Sequence, residues 1–210
     1  MRTYDIEDGE FLVRVHSQEF ASDSFKPYGI SEGRFDPVAD KNGNGFSVMY
    51  LGTHYIDAIA ETIMRKNENG ARHFNIDQIE KKEITTLLVS KNIHLLDLSS
   101  IKALEPLLAG GKQNYSKLRN FAKLVLSDKR FDEVQGFIWS GHQRGIAGAR
   151  VMVLFGNRIE PSTLIPTHTE SLLYRTGYNK LQDAANALGC VIPEYVRKVR
   201  RLEASSRLKK

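Results

Sequence analysis

The chain has 210 residues, 41% hydrophobic and 26% charged, with 16 glycines, 6 prolines and one cysteine. That length suits one full-sized domain, and the composition excludes a disordered, collagen-like or low-complexity chain. One cysteine, Cys190, excludes an intrachain disulfide and a cysteine-rich zinc site, and the formal charge of +5 is a property of the C-terminus alone: residues 197–210 carry seven Lys or Arg against one Glu, a net +6 that leaves −1 elsewhere.

The opening MRTYDIEDGE has no apolar run behind a basic stretch, and no segment approaches the ~20 apolar residues of a membrane span, so the expectation is a cytoplasmic protein without membrane contact. FLVRVHS, residues 11–17, alternates partly and predicts a strand. Residues 18–46 are broken by glycines and Pro37 and predict loop and turn, with DKNGNG at 40–45 as a hairpin tip. Phe46 to Leu51 predicts a second strand. Thr53 then stands where it can cap a helix whose apolar positions Ile56, Ile59, Ala60 and Ile63 form one buried face, and Glu61 sits on that helix.

After a polar stretch, Ile84 to Val89 and Ile93 to Leu98 predict two strands joined through Ser90, Lys91 and Asn92 as a β-hairpin. Ile101 to Leu108 and Tyr115 to Leu126 predict helices separated by Gly110 and Gly111. Phe137 to Trp139 and Arg150 to Phe155 predict strands, a loop with Pro161 and Pro166 follows, and Lys180 to Leu188 and Glu194 to Leu202 predict the last helices. The sum is an α+β fold: one compact domain with short mixed strands and inserted helices, spanning residues 1–180, and a helical, basic extension of it over 181–210.

A scan for catalytic motifs finds no phosphate loop, no GxSxG elbow and no HExxH pair, and the six histidines never stand four apart, so no metal site is expected. Two arginines stand out. Arg14 lies between Val13 and Val15 in an apolar strand, where burial needs a partner, and Arg34 lies in the turn GRFDP. Two guanidiniums beside one cleft suit a diphosphate, because the planar fork pairs with phosphate oxygens; turn pairing of Arg34 with Glu32 or Asp36 is the plainer alternative.

The set VRV at 13–15, GRFDP at 33–37, VMYLG at 48–52, AIAE at 58–61 and the later WS followed by VMVLFG resembles the RES domain, named for its Arg, Glu and Ser. The resemblance runs from residue 11 to about residue 156. It implies a RES-type fold distantly similar to ADP-ribosyltransferase toxins, and a toxin of a bacterial toxin-antitoxin pair that destroys NAD+ by breaking the nicotinamide–ribose bond. Carried over residue by residue, it assigns Arg14 and Arg34 to the pyrophosphate, Tyr50 to the nicotinamide or ribose, Glu61 to the developing ribose cation and Ser140 to a donor role. Glu61, Arg34, Tyr50 and Ser140 are then the catalytic set, and Arg14, Arg34, Tyr50 and Ser140 the binding set. The segment from Gly136 to Gly148 departs from the usual family form and leaves Ser140, His142 and Arg144 as alternatives, and Asp36 stands where the family more often has Asn. Tyr28 and Tyr55 are further ring candidates without a motif match.

The resemblance implies no retained cofactor: NAD+ is the substrate, and water or inorganic phosphate the acceptor. Its implied partner is an Xre-like antitoxin, and a homodimer is the default assembly. ADP-ribosyl transfer to a protein or nucleotide uses the same bond cleavage and is the alternative within enzymology. Outside it stands a nucleic-acid or partner-binding protein, supported by the basic tail and by LQDAANALG at 181–189, whose Ala185 and Gly189 have a helix-turn-helix spacing.

Overall fold

The computed structural model describes residues 1–30, 33–65, 72, 77–141, 148–194 and 196. Among these residues, ten strands and five α-helices follow one another as β1 (Arg2–Ile6), β2 (Phe11–Ser17), β3 (Val38–Ala39), β4 (Gly45–Phe46), β5 (Val48–Gly52), α1 (Tyr55–Thr62), α2 (Asp77–Glu80), β6 (Lys82–Val89), β7 (Ile93–Asp97), α3 (Glu105–Ala109), α4 (Tyr115–Leu126), β8 (Gly136–Ser140), β9 (Arg150–Phe155), β10 (Leu164–Ser171) and α5 (Arg175–Ala187). This is a mixed α+β domain, as expected. β3 and β4 form the small hairpin around residues 40–44, and the other eight strands form one sheet in the order β1-β7-β8-β9-β5-β2-β6-β10.

That order corrects the expected hairpin at residues 84–98. β6 pairs with β2 and β10, whereas β7 pairs with β1 and, in parallel, with β8. The two strands stand five places apart in the sheet, about 24 Å if it were flat, yet a three-residue link reaches only about 14 Å. The sheet must therefore curl, bringing β1 and β7 over β2 and β6. Backbone bonds between Gly9 N–H and the Val89 carbonyl and between Val89 N–H and the Glu10 carbonyl, both 2.9 Å, fasten the fold-over. Fully buried Ile6, Leu12, Leu87, Ile93, Leu95 and Leu154 fill the inside of the curl.

Two further apolar layers cover its outside. Leu108 of α3 and Leu118, Ala122 and Val125 of α4 pack on Phe137, Trp139 and Phe155. Ile56, Ile59 and Ile63 from the α1 segment pack with Tyr178, Leu181, Ala184 and Ala185 of α5 on Val15 and Ile84. The apolar face of the 181–189 segment is thus spent on the core. α4 and β9 have the bounds that periodicity predicts, and α5 begins five residues before its expected start at Lys180.

Two local expectations are corrected, and one strand is added. His54, not Thr53, caps α1: its Nδ1 accepts from the Ile56 N–H at 3.3 Å, while the Thr53 hydroxyl lies 3.3 Å from the Asp57 carboxylate. Residues 164–171, expected as loop because of Pro166, form β10; the strand lies on the sheet edge and shifts register between Pro166 and His168, the two settings in which a strand tolerates proline. β1, inside the polar opening, was not expected at all. The helix expected over 194–202 falls almost wholly outside the described residues, as does the basic tail from 197 onward.

Candidate active site

A gap in the sheet makes the site. β2 and β5 are joined by one residue pair, Val13 with Gly52; had the ladder continued, Arg14 to Ser17 would have faced Leu51 to Val48. Those eight residues instead line a cleft of about 400 Å³, which lies within the range of small-ligand pockets. Lys26 takes the far end of β5, exchanging backbone bonds of 2.8 and 2.9 Å with Val48, and so holds the gap open. The cleft therefore opens where the strands diverge, and residues of the segment between β2 and β3 complete its lining.

The cleft is cationic. Arg14, Lys26, Arg34, Arg65 and Lys82 line it, against two carboxylates, Asp36 and Glu61. Arg14 is 7% exposed and donates through one terminal nitrogen to the carbonyls of Ala21, 3.3 Å, and Ser22, 2.7 Å. Burial pulls its guanidinium down to about 10, against the field of Asp23, so it remains a cation at neutral pH. Arg34 is 4% exposed, donates to the Leu108 carbonyl, and lies 5.6 Å from the Tyr115 ring and 5.8 Å from the Trp139 ring. Neither arginine makes a carboxylate ion pair among the described residues.

Tyr50 is the best-fastened member. Its hydroxyl donates to Asp36 Oδ1 at 2.7 Å and accepts from the Phe35 N–H at 2.9 Å, while Lys26 Nζ stands 3.5 Å from Asp36 Oδ2. Burial, then the Asp36 charge, raise the phenol well above its ordinary range, so it acts as a neutral hydrogen-bonding group. Gly33 permits this arrangement. A Cβ there would sit 1.8 Å from Asp36 Oδ1 and 3.0 Å from the Tyr50 hydroxyl, so the turn from Gly33 to Asp36 closes only over a hydrogen. Asp36 is therefore held as a partner for Tyr50.

Glu61 is the least-fastened. It is the penultimate residue of α1, with a side chain 15% exposed; its Oε2 lies 3.8 Å from Arg65, beyond hydrogen-bond reach, and its Oε1 is buried with no hydrogen-bond partner. Arg65 donates instead to the Tyr115 hydroxyl at 3.0 Å. Among the described residues the other buried side-chain atom without a partner, Trp139 Nε1, belongs to another residue of the same cleft. Buried polar atoms are almost always satisfied, so this concentration of exceptions marks the place where the fold is built for something other than stability.

Arg14, Arg34, Tyr50 and Glu61 are thus brought to one cleft. Ser140 is not among its lining residues: exposed at the end of β8, it lies with its hydroxyl 3.2 Å from that of Ser99, whose oxygen also accepts the Ser140 N–H at 2.8 Å. Trp139, one residue earlier, points to the opposite face and does line the cleft, as alternation along a strand requires. The alternatives His142 and Arg144 lie outside the described residues. Tyr28 is half exposed and, like Tyr55, is not in the lining. Sequence reasoning missed Lys26, Arg65, Lys82 and Trp139; Arg65 had a local signal in its i+4 spacing from Glu61, and Trp139 in its place beside Ser140 in the WS pair. No group of three or more His, Cys, Asp or Glu that could hold a metal occurs among the described residues, and no helix there is long and apolar enough to cross a membrane.

The site is thus a cleft where the strands of a curled α+β sheet part, lined by five cations and two carboxylates, of which Asp36 is tied to Tyr50 and Lys26 and Glu61 is under-partnered. The RES domain family model matches residues 11–175, most of the chain, and the protein belongs to that family. Among solved structures, the fold is similar to the MbcT chain in the crystal structure of the M. tuberculosis MbcT-MbcA toxin-antitoxin complex, with a TM-score of 0.58 at 16% identity over 86% of this chain and 92% of that one. No curated protein matches.

Proposed function

We propose that this protein is a toxin that degrades NAD+ by cleaving the bond between nicotinamide and ribose. The observation that carries the reading is Glu61: a carboxylate with one oxygen buried and unpartnered, on the wall of a cleft otherwise lined by cations. Breaking the C–N bond sends its electron pair to the nicotinamide nitrogen, which leaves neutral, and the ribose carbon takes on oxocarbenium character. A poorly solvated carboxylate is worth more against that positive charge than one in water. Because nicotinamide leaves without protonation, no second carboxylate is needed as general acid, unlike in an ordinary glycosidase. Arg14 and Arg34 neutralise the pyrophosphate, and Tyr50, held neutral and immobile, presents its ring to the nicotinamide or ribose. Ser140 is proposed as a donor only for a state in which the end of β8 turns toward the ligand.

An oxygen nucleophile then attacks the ribose carbon and loses its proton: water gives ADP-ribose, inorganic phosphate gives ADP-ribose 1''-phosphate. The test is nicotinamide release by the purified protein, with mass analysis of products in phosphate-free and phosphate-containing buffer. Intact NAD+ in both overturns the reading, and ADP-ribose found on an added protein or nucleotide replaces it with transfer. An enzyme that consumes NAD+ inside its own cell needs restraint, so the proposal includes a neutralising partner, an Xre-like antitoxin, and a cytoplasmic location. Growth arrest on expression, relieved by the partner, is the expected phenotype.

A further inference from the structure

Of the five cations that line the cleft, four are engaged by protein atoms. Arg14 and Arg34 hold backbone carbonyls, Lys26 holds Asp36, and Arg65 holds the Tyr115 hydroxyl beside Glu61. The Lys82 ammonium makes neither a hydrogen bond nor an ion pair with a described residue, although its side chain is partly buried. Burial, then the Lys26 ammonium, pull it below the usual lysine range; the exposed Glu19 works the other way, from too far to pair.

Its position is fixed by the sheet. Lys82 is the first residue of β6, opposite Ser17 at the end of β2, with its carbonyl tied to the Leu172 N–H at 3.1 Å. Lys26 faces the same space from the end of β5, where Val48 holds it on both sides of its peptide unit. Lys82 on its strand and Lys26 in its bridge to Val48 are both tied down through their backbones and both line one cleft, where the Lys26 charge acts against the Lys82 ammonium. Two like charges so placed raise the free energy of the empty protein and lower it once an anion lies between them. Flexible lysines on a surface would simply move apart into water.

We infer that Lys82, with Lys26, forms a phosphoryl-oxyanion subsite at the β2–β6 end of the cleft, separate from the carbonyl-bound arginines. The inference builds on the NAD+ reading but not on its chemistry, since it concerns binding alone. Two sources fit: inorganic phosphate entering as the acceptor, which would make Lys82 the residue that selects phosphate over water, and the pyrophosphate of the dinucleotide itself. A compact ammonium suits a small, rotating phosphate as a point charge, where a guanidinium fork suits a fixed one.

The experiment uses the full chain with Lys82→Gln and Lys82→Arg. Binding of inorganic phosphate and of ADP is measured for each by calorimetry, with chloride at matched ionic strength as control, and products are partitioned by mass in phosphate buffer. Thermal unfolding of both variants should match the wild type, because the Lys82 side chain bonds to no described residue. Lys82→Gln should weaken phosphate binding about tenfold or more, as loss of a charge-assisted bond implies, and shift products from ADP-ribose 1''-phosphate toward ADP-ribose; Lys82→Arg should restore most of both. Weakened ADP binding with phosphate unchanged assigns the same subsite to the pyrophosphate. Unchanged binding of both anions, or equal loss on adding chloride, overturns the subsite. Absence of NAD+ cleavage alongside a Lys82-dependent phosphate affinity would overturn the functional reading and leave the subsite standing.

Discussion

The two walls of the cleft are built on opposite terms. On the wall made by the Gly33–Pro37 turn and β5, every named polar group has a protein partner: the Tyr50 hydroxyl is bonded twice, Asp36 takes Tyr50 and Lys26, and Arg34 is bonded to a carbonyl and enclosed by two rings. On the wall made by the end of α1 and the start of β6, Glu61 has a bare buried oxygen and Lys82 a bare ammonium. A satisfied polar group stabilises the fold and holds its place; an unsatisfied one destabilises it and interacts strongly with whatever arrives. The contrast separates the residues that fix the shape of the site from those that act on a ligand, and substitutions on the two walls should therefore fail in different ways.

The largest effect belongs to the unsatisfied wall. Glu61→Gln keeps the shape and removes the charge, so nicotinamide release should fall by at least about a hundredfold, the order seen when one preorganised electrostatic contact is lost. Thermal stability should hold or rise, because the variant no longer buries a carboxylate oxygen without a donor. Turnover within a few-fold of wild type would remove Glu61 from the chemistry and leave its bare buried oxygen without a catalytic reason.

Arg34 tests the border between the walls. Arg34→Lys preserves the charge and loses the fork, and in catalytically dead Glu61→Gln protein NAD+ affinity by calorimetry should drop by about tenfold, with incomplete compensation from the ammonium. Unchanged affinity would confine Arg34 to its bond with Leu108 and its contacts with Tyr115 and Trp139.

Tyr50 sharpens the contrast from the satisfied side. Tyr50→Phe strips the Phe35 N–H of its acceptor and removes one donor from the buried Asp36 carboxylate. The expected loss is about 1–3 kcal/mol, a fall in Tm of roughly 2–10 °C for a chain of this size. A variant as stable as wild type but inactive would turn Tyr50 from scaffold into ligand contact.

How far the site was legible before the structure follows the same division. Arg14, Arg34, Tyr50 and Glu61 sit on short motifs, and motifs are local, so their convergence could be expected. Lys26, Lys82 and Trp139 reach the cleft because β2 and β5 part after Val13 and Gly52, and nothing local announces that parting. Elements whose periodicity reflects one buried face, such as α4 and β9, were read to the residue. The 84–98 hairpin failed because three polar residues between two apolar runs describe a turn without saying which strands it joins; here the answer is set by the curl of the whole sheet. β10 failed because Pro166 argues against a strand unless the strand is known to lie at an edge. Ser140 failed to join the cleft through a period of two: one residue earlier the side chain faces in, and at Ser140 it faces Ser99.

The smallest effect concerns His16, which lies on the satisfied side of the ledger although it lines the cleft. It is 5% exposed; Nδ1 bonds to the Ser17 carbonyl at 3.0 Å, which makes that nitrogen the proton carrier, and Nε2 accepts from the Thr85 hydroxyl at 2.8 Å, itself 2.8 Å from Thr169. Burial lowers its pKa below the ordinary 6.5; the Arg14 and Lys82 charges act in the same direction, against the Ser17 carbonyl and Glu83. A depressed histidine takes up its proton more readily unfolded than folded, so below about pH 6.5 the unfolded state binds more protons and stability rises with pH. The stabilising contribution is whole above 6.5 and is lost as pH falls through the folded value, with a slope of at most about 1.4 kcal/mol per pH unit. His16→Gln retains a donor and an acceptor without a titrating group. Urea unfolding of wild type and variant between pH 5 and pH 8 isolates the term, because the carboxylates common to both cancel in the difference. The stability gap should narrow toward acid and be constant above pH 7; a gap independent of pH would show that the folded His16 titrates as it does in the unfolded chain, and that this part of the cleft is wetter than its hydrogen bonds imply.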